Sequence, residues 1–169
     1  MKYVVPILFL LSCALSANEH RLLISGFTKH EDSHRDNGDR YNEFNYGAGY
    51  EFTTFEDYKE FYLGSNVTVL KDSFDEWQYT LSISPNIRYK LAKDLAISIG
   101  IASFVMLKKD NFKKGVTKEE AEYDWLVGAA PLSSLYYKDF SMNFAYVPSV
   151  SFGDLDTVGF VIVYFGWKF

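Results

Sequence analysis

The sequence predicts an all-β protein, an eight-stranded antiparallel up-and-down transmembrane β-barrel. Three observations predict it: an export signal at the N-terminus, eight segments in which apolar and polar residues alternate, and connections that are short and long by turns. A helical membrane protein is excluded, because the longest nearly uncharged apolar stretch after the N-terminus covers only 95–107. A helix that crosses the bilayer needs about 20 such residues.

The first 16 residues have the pattern of a secretory signal peptide. Lys2 supplies a positive start, an apolar run follows, and small residues precede the expected cleavage after Ser16. We expect a signal peptide over 1–16 and a single outer-membrane barrel domain over 17–169. The alternative is lipoprotein processing at Cys13, which follows a Leu-Leu-Ser sequence.

Composition and charge exclude several classes of function. The net charge is −5, with 22 acidic against 17 basic residues, so we expect no nucleic-acid partner. The single cysteine of the chain excludes a disulfide framework and a thiolate metal site. We expect neither a metal nor a nucleotide cofactor.

Eight segments are predicted as strands, each supplying the roughly 9–11 residues that a tilted strand needs to cross the hydrocarbon. In chain order they are 20–31, 42–53, 59–71, 77–91, 94–107, 123–137, 139–149 and 157–169. Alternation is clearest in the fourth segment, whose apolar row is Tyr79, Leu81, Ile83, Pro85, Ile87 and Tyr89. The second, fifth and seventh segments have the apolar rows Phe44, Tyr46, Ala48, Tyr50, Phe52; Leu95, Ile97, Ile99, Ile101; and Phe140, Met142, Phe144, Tyr146. The eighth ends at an aromatic residue, with one face formed by Val161, Val163, Phe165, Trp167 and Phe169.

The connections between these segments alternate in length. Short links are expected near 54–58, 92–93 and 138, and longer polar ones at 32–41, 108–122 and 150–156; the link 72–76 is short but polar. Transmembrane barrels have short periplasmic turns and longer outer loops, so both chain ends are expected on the periplasmic side. A soluble β-sandwich or a lipocalin also alternates, but the export signal, the even strand number and the aromatic chain end favour the membrane barrel.

The predicted lumen is apolar in its outer half. The inward row of the fifth strand runs through Ala96, Ser98, Gly100 and Ala102 to Phe104 and Met106, and the last strand turns Val158, Phe160 and Ile162 inward. Small residues followed by apolar ones leave a slot that suits an acyl chain better than water. The alternative is that these side chains simply pack against one another.

Three candidate chemical groups lie at the outer ends of strands. Asp72 and Ser73 close the third strand, and His30 ends the first, with His34 in the loop that follows. A serine, an imidazole and a carboxylate are the groups needed for acyl transfer from an ester. The alternative is ordinary turn chemistry, since Asp-Ser pairs are common in loops.

The longest predicted outer loop is rich in lysine. Its members are Lys108, Lys109, Lys113, Lys114 and Lys118. These lysines suit lipid phosphates, but Glu119, Glu120 and Glu122 follow them, which favours a mixed, solvated loop.

Several motifs resemble, in order over about residues 22–169, those of the lipid A palmitoyltransferase (PagP-like) family of outer-membrane β-barrels. They are Asp39-Arg40-Tyr41-Asn42-Glu43 with Tyr46-Gly47-Ala48-Gly49, Lys71-Asp72-Ser73-Phe74 with Trp77, Lys109-Asp110-Asn111-Phe112, Pro131-Leu132-Ser133-Ser134, and Tyr146-Val147-Pro148. The expected mature start leads straight into the first strand, whereas the family has an amphipathic helix there, a departure that bears on stability more than on chemistry.

The resemblance implies roles for individual residues. The catalytic histidine, aspartate and serine of the family fall on His30, Asp72 and Ser73, with His34 as a second candidate for the histidine. The floor of the acyl-chain pocket falls on Ser84, and the pocket as a whole is expected to include Ser84, Gly100, Ala102, Phe160 and Ile162. Pro148 resembles one of two prolines that weaken strand pairing and admit lipid sideways; Ser25 or a neighbour stands where the other is expected.

The predicted function is transfer of a palmitoyl-like chain from a phospholipid donor to lipid A in the outer leaflet of a Gram-negative outer membrane. Membrane lipids are the expected partners, and we expect a monomer. Two alternatives stay open. One is a lipid A or phospholipid deacylase, which differs in using water as acceptor, and the other is a non-enzymatic structural barrel.

Overall fold

A computed structural model describes residues 19–31, 40–55, 60–109, 121–152, 155–157 and 159–169. The predicted signal peptide, His34, Val158 and the loop lysines Lys113, Lys114 and Lys118 lie outside these residues. Within the described ranges, no helix is long and apolar enough to cross a bilayer.

The described residues form eight strands that close into an antiparallel barrel and two short strands that form a separate hairpin. The barrel strands are β1 Glu19–His30, β2 Gly47–Phe55, β3 Phe61–Lys71, β4 Trp77–Ala92, β5 Leu95–Lys109, β6 Tyr123–Tyr137, β7 Phe140–Val147 and β10 Phe160–Lys168. Neighbours in the barrel are neighbours along the chain, and β1 pairs with β10 to close it. The predicted fold class is confirmed. The end at which β1 begins and β10 ends is called the lower end.

Two predicted strand boundaries were wrong. The second strand begins at Gly47 rather than at residue 42, because the side chains of Asn42 and Asn45 hydrogen-bond to backbone groups and compete with strand pairing. Asn42 Oδ1 accepts the Phe44 N–H at 3.0 Å, and Asn45 Nδ2 donates to the Lys71 carbonyl at 2.9 Å. The last strand begins at Phe160 rather than at residue 157, because the connection before it contains the hairpin of β8 Val150–Phe152 and β9 Leu155–Thr157.

The outer surface of the barrel is apolar, as the alternation predicts. Large hydrophobic side chains are exposed along every barrel strand, with aliphatic residues such as Ile24, Ile83, Ile99 and Val127 at mid-height. Aromatic residues lie near the two ends: Tyr46, Trp77, Tyr123 and Trp125 above, and Tyr137, Phe140, Trp167 and Phe169 below. Such a surface is stable against lipid and costly against water, which is the pattern of a transmembrane barrel.

The lower lumen is filled by a network of charged side chains. Glu19 receives three cations: Lys168 Nζ at 2.9 Å, Arg21 Nη2 at 3.0 Å and Arg88 Nη1 at 3.4 Å. Arg21 also faces Glu51, with 3.8 Å between Nε and Oε1. These five residues, called the lower charge layer, link β1, β2, β4 and β10 across the barrel.

Aromatic hydroxyl groups cover the lower charge layer. The guanidinium of Arg88 lies over the rings of Tyr62 and Tyr136, at 4.4 and 4.3 Å from their centroids. The two tyrosine hydroxyls are 2.6 Å apart, and the Tyr62 hydroxyl lies 3.0 Å from Ser98 Oγ. The lower lumen is thereby closed by side chains, and the cavity described below lies in the upper half.

Arg88→Met tests the contribution of the lower charge layer to stability. We expect the free energy of unfolding to fall by about 2 kcal/mol, below the usual loss for a broken buried ion pair because Glu19 keeps two other cations. Urea unfolding in detergent micelles, followed by tryptophan fluorescence, measures the change. Lys90→Met, which removes an exposed lysine from the same strand, is the matched control. Equal stability of both variants would contradict the assignment.

Candidate functional site

The upper half of the lumen contains a cavity of about 380 Å³. Its walls are mainly apolar and include Phe104, Met106, Leu126, Phe160 and Ile162. On β5 the wall extends from Ala102 to Lys108, roughly 20 Å along the strand at about 3.3 Å per residue. A space of this size and lining is within the range of pockets that hold apolar small molecules.

The floor of the cavity is formed by the deepest lining residue of each strand. These residues are Leu23, Gly49, Asn66, Ser82, Ala102, Ala130, Ala145 and Tyr164. Of the residues predicted to form the acyl-chain pocket, Ala102, Phe160 and Ile162 line the cavity. Ser84 and Gly100 lie one inward position below the floor, so their predicted role stays a prediction.

Ser84 and Gly100 are packed tightly in the layer beneath the floor. Ser84 Oγ donates to the Gly64 carbonyl at 3.4 Å and accepts from Asn86 Nδ2 at 3.1 Å. A Cβ at Gly100 would collide with Asn86 Oδ1 and the Pro85 carbonyl oxygen. Asn86 therefore fills the space that the small residues of β4 and β5 leave.

His30, Asp72 and Ser73 all line the mouth of the cavity. Asp72 continues the inward row of β3 and is buried, whereas Ser73 follows in a turn and is half-buried. In a regular strand two successive residues face opposite sides of the sheet. Because β3 ends at Lys71 and the chain turns, both side chains reach the same cavity.

A β-bulge turns His30 into the barrel. Leu23 and Ser25, at odd positions, line the cavity, yet so do Thr28 and His30, at even positions. The register against β10 shifts between Ser25 and Phe27, so one extra residue, Gly26, reverses the alternation. Without this bulge His30 would face lipid. A Cβ at Gly26 would lie 2.6 Å from the Val163 carbonyl oxygen, which explains the glycine.

The Asp72 carboxylate organises the turn that follows β3. Oδ1 accepts the backbone N–H groups of Phe74 at 2.9 Å and Glu76 at 3.0 Å, and Oδ2 forms an ion pair with Lys108 Nζ at 2.8 Å. Asp75, in the same turn, has a φ of 63°, a strained value for a residue with a side chain. Among the described residues, the Asp72 carboxylate has these three partners: two backbone N–H groups and the Lys108 ammonium. The His30 imidazole is not one of them.

Residues 41–45 join the two halves of the mouth. The Tyr41 ring stacks on His30, with 4.1 Å between centroids and 10° between planes, and meets the Phe74 ring edge-on at 5.7 Å. The Asn42 N–H donates to the Ser73 carbonyl at 2.9 Å. The end of β1 and the turn after β3 are therefore held against one segment.

A comparison with protein-family models decides the family. The model described as "Antimicrobial peptide resistance and lipid A acylation protein PagP" matches residues 11–167, nearly the whole chain. The chain belongs to the PagP family. The resemblance predicted from its motifs is confirmed, and its family is one of lipid A acylation. A search of curated proteins found no match.

Solved structures of similar shape come from Yersinia pestis. They include the attachment invasion locus protein Ail in complex with the heparin analogue sucrose octasulfate, at 10% identity and a TM-score of 0.46, covering 89% of this chain and 97% of that one. A second crystal structure of Ail has 11% identity, the same coverage and a TM-score of 0.45.

The barrel of this PagP family member has an incomplete seam between β6 and β7. Their pairing extends from Tyr137 and Phe140 up to Leu132 and Ala145. Above that level, within the described residues, 123–131 pair with β5 alone. In the same part of the chain that the structure describes, the upper end of β7 pairs with β10 alone. The walls of the cavity are therefore not joined by backbone hydrogen bonds along this seam.

Two prolines flank the unpaired seam. Pro131 lies on β6, at the lower end of the unpaired seam. Pro148 follows β7 and lines the cavity. Neither has an N–H group to donate, so neither can extend the ladder. Val127 and Ala129 also line the cavity, although their side chains belong to the outward row of β6. The cavity thus reaches the lipid-facing surface at this seam.

Sequence reasoning missed three residues of the site. Gly26 makes the bulge, Tyr41 stacks on His30, and Lys108 pairs with Asp72 inside the barrel instead of lying in a solvated loop. For Lys108 a signal was present, since the inward row from Ala96 to Met106 extends to it. Tyr41 lies in a motif that carried the resemblance but received no role.

Gly26→Ala tests whether the bulge determines the position of His30. Because the new Cβ meets backbone, we expect a loss of about 2 kcal/mol in the free energy of unfolding and a changed NMR shift of the His30 ring. The matched control is Gly128→Ala, whose Cβ meets only the Phe104 ring, which can rotate. An unmoved His30 signal in Gly26→Ala would contradict the role of the bulge.

Proposed function

We propose that this protein transfers a palmitoyl-like acyl chain from a phospholipid to lipid A in the outer leaflet of a Gram-negative outer membrane. The observation that carries the proposal is an apolar cavity, closed below by charged side chains, whose mouth is lined by His30, Asp72 and Ser73. Membership of a lipid A acylation family supports lipid A as the acceptor. The active form is a monomeric barrel of residues 17–169, from which the signal peptide 1–16 has been removed.

The chemistry is attack of an acceptor hydroxyl on the ester carbonyl of the donor. The His30 imidazole accepts the proton of the attacking hydroxyl, the ester bond breaks, and the proton passes to the oxygen of the departing lysophospholipid. Ser73 lies at the same mouth, where its hydroxyl relays the proton between the attacking hydroxyl and the His30 imidazole. Fixing the acyl tail in the cavity below holds the carbonyl near these groups and lowers the entropic cost of the reaction.

The seam between β6 and β7 supports entry from the membrane. A phospholipid tail that moves from the outer leaflet through the gap beside Pro148 stays among apolar side chains throughout. Entry from the aqueous side would instead require the whole tail to cross water, at about 0.8 kcal/mol per CH₂. Lateral entry is therefore the favoured route for the donor.

The function is tested by mass spectrometry of lipid A from cells that express the wild type or Ser73→Ala. With the wild type we expect one added acyl chain on lipid A. With Ser73→Ala we expect the amount of this product to fall by about 100-fold or more, since the variant lacks the serine hydroxyl at the mouth of the cavity. Ser103→Ala, which removes a hydroxyl from the lipid-facing row of β5, is the matched control. Loss of an acyl chain would indicate a deacylase, and an unchanged spectrum with folded protein would contradict an enzyme.

Ala102→Leu tests whether the cavity holds the transferred chain. A larger side chain on the floor leaves less depth, so we expect transferred chains to become shorter, as read from the added mass. The adjacent Ser103→Leu, on the lipid face, is expected to leave chain length unchanged. Ser84→Leu, made in parallel, decides whether the deeper position implied by the resemblance limits chain length instead. Unchanged chain length in Ala102→Leu would contradict the floor assignment.

A further inference from the structure

Lys108 is a buried cation at the upper end of the β5 row that lines the cavity, and the residues of that row below it are apolar. It extends from the inward row of β5, directly above Met106, and its side chain is 11% exposed. Its ammonium lies 2.8 Å from Asp72 Oδ2 and 5.2 Å from the centroid of the Phe74 ring. Burial of a lysine is costly unless the charge is paired, so the contact with Asp72 is what allows this position.

The ion pair reaches over the upper end of β4, from β5 to the turn after β3. The other carboxylate oxygen of Asp72 is used by the N–H groups of Phe74 and Glu76, so the carboxylate is engaged on both oxygens. The turn also contains a residue of positive φ, Asp75, whose carbonyl accepts from Lys71 Nζ at 2.7 Å. A strained turn of this kind persists only when its surroundings hold it.

We propose that Lys108 is a positioning residue: its ammonium fixes the Asp72 carboxylate at the centre of the turn and thereby keeps Ser73 at the mouth of the cavity. The proposal rests on the proposed function for its kinetic consequence, but its structural consequence is independent of activity. It also assigns Asp72 a task directed at the turn and at Lys108, rather than at the imidazole of His30.

The pair makes the charge of each member necessary to the other. Without Lys108, the Asp72 carboxylate in its present position has no counter-charge. We expect the turn to rearrange and bring the carboxylate to water. An asparagine at position 72 keeps an oxygen for the two backbone N–H groups and carries no charge. Neutralising both residues is therefore expected to harm the turn less than neutralising Lys108 alone.

The experiment compares Lys108→Met, Lys108→Arg, Lys108→Met with Asp72→Asn, and the control Lys90→Met. The assay uses purified protein in mixed micelles of phosphatidylcholine and lipid A. For Lys108→Met we expect kcat to fall by about 100-fold with KM within about threefold, since a misplaced serine affects the reaction rather than binding. Lys108→Arg is expected to restore most of the activity. The kcat of the double variant is expected to be at least about tenfold higher than that of Lys108→Met.

Hydrogen exchange separates failure of this proposal from failure of the proposed function. In Lys108→Met, the amides of Phe74 and Glu76 are expected to exchange at least about tenfold faster, whatever lipid the protein acts on. If the wild type transfers no acyl chain but these amides respond, the positioning role stands and the acyl transfer fails. If Lys108→Met does not fold, folding of the double variant, which buries no unpaired charge, supports the pairing, and failure of the double variant to fold as well contradicts it.

Two results would overturn the proposal. One is unchanged exchange of both amides in Lys108→Met, because the ammonium would then not hold the turn. The other is an inactive double variant with native exchange at Phe74 and Glu76, because Asp72 would then act directly on the reacting groups.

Discussion

The division of the lumen into a charged lower half and an apolar upper half is the constraint on which the rest of the structure depends. Charges such as Glu19 and Arg88 satisfy one another below, together with the tyrosines that cover them. The upper strands can therefore turn small and apolar residues inward without leaving a route for water from beneath. A mainly apolar cavity under a polar mouth follows from that division.

Strand alternation determines which side chains face the lumen, and two interruptions of the alternation bring the functional groups to the cavity. The glycine bulge in β1 reverses the parity of the inward row so that His30 faces the lumen. The end of β3 at Lys71 allows Asp72 and Ser73 to reach the same space. Both interruptions lie in the upper half of the barrel, where strand pairing is also incomplete between β6 and β7.

The fold was predictable because apolar and polar residues alternate with a period of two in segments such as 77–91. The hairpin before β10 was not predictable, since pairing between two short neighbouring segments determines it. The late start of β2 was not predictable either, since hydrogen bonds of asparagine side chains determine it. The depth of the cavity was out of reach for another reason. Which inward residues share a level depends on the stagger between strands, and periodicity along one strand carries no information about it.

At the site, sequence reasoning identified the candidate residues at the ends of strands. It missed the residues that contact them and fix their positions. His30, Asp72 and Ser73 were identified from residue type and resemblance, and the structure brings them to one mouth. The contact of Lys108 with Asp72 joins residues on β5 and after β3, a relation that no local pattern expresses. Tyr41 was equally hidden, because its stacking on His30 depends on how residues 41–45 fold over the barrel.

The central claim is that a fatty tail occupies the upper lumen. Intermolecular NOEs between a micelle-borne phosphatidylcholine and the protein test it most directly, because they report which atoms lie within a few ångströms of the chain. The account predicts contacts from the acyl methylenes to the methyl groups of Ala102, Ala130 and Ile162. Contacts limited to outward residues such as Ile99 and Val127, with water signals at Ala102 and Ala130, would contradict it.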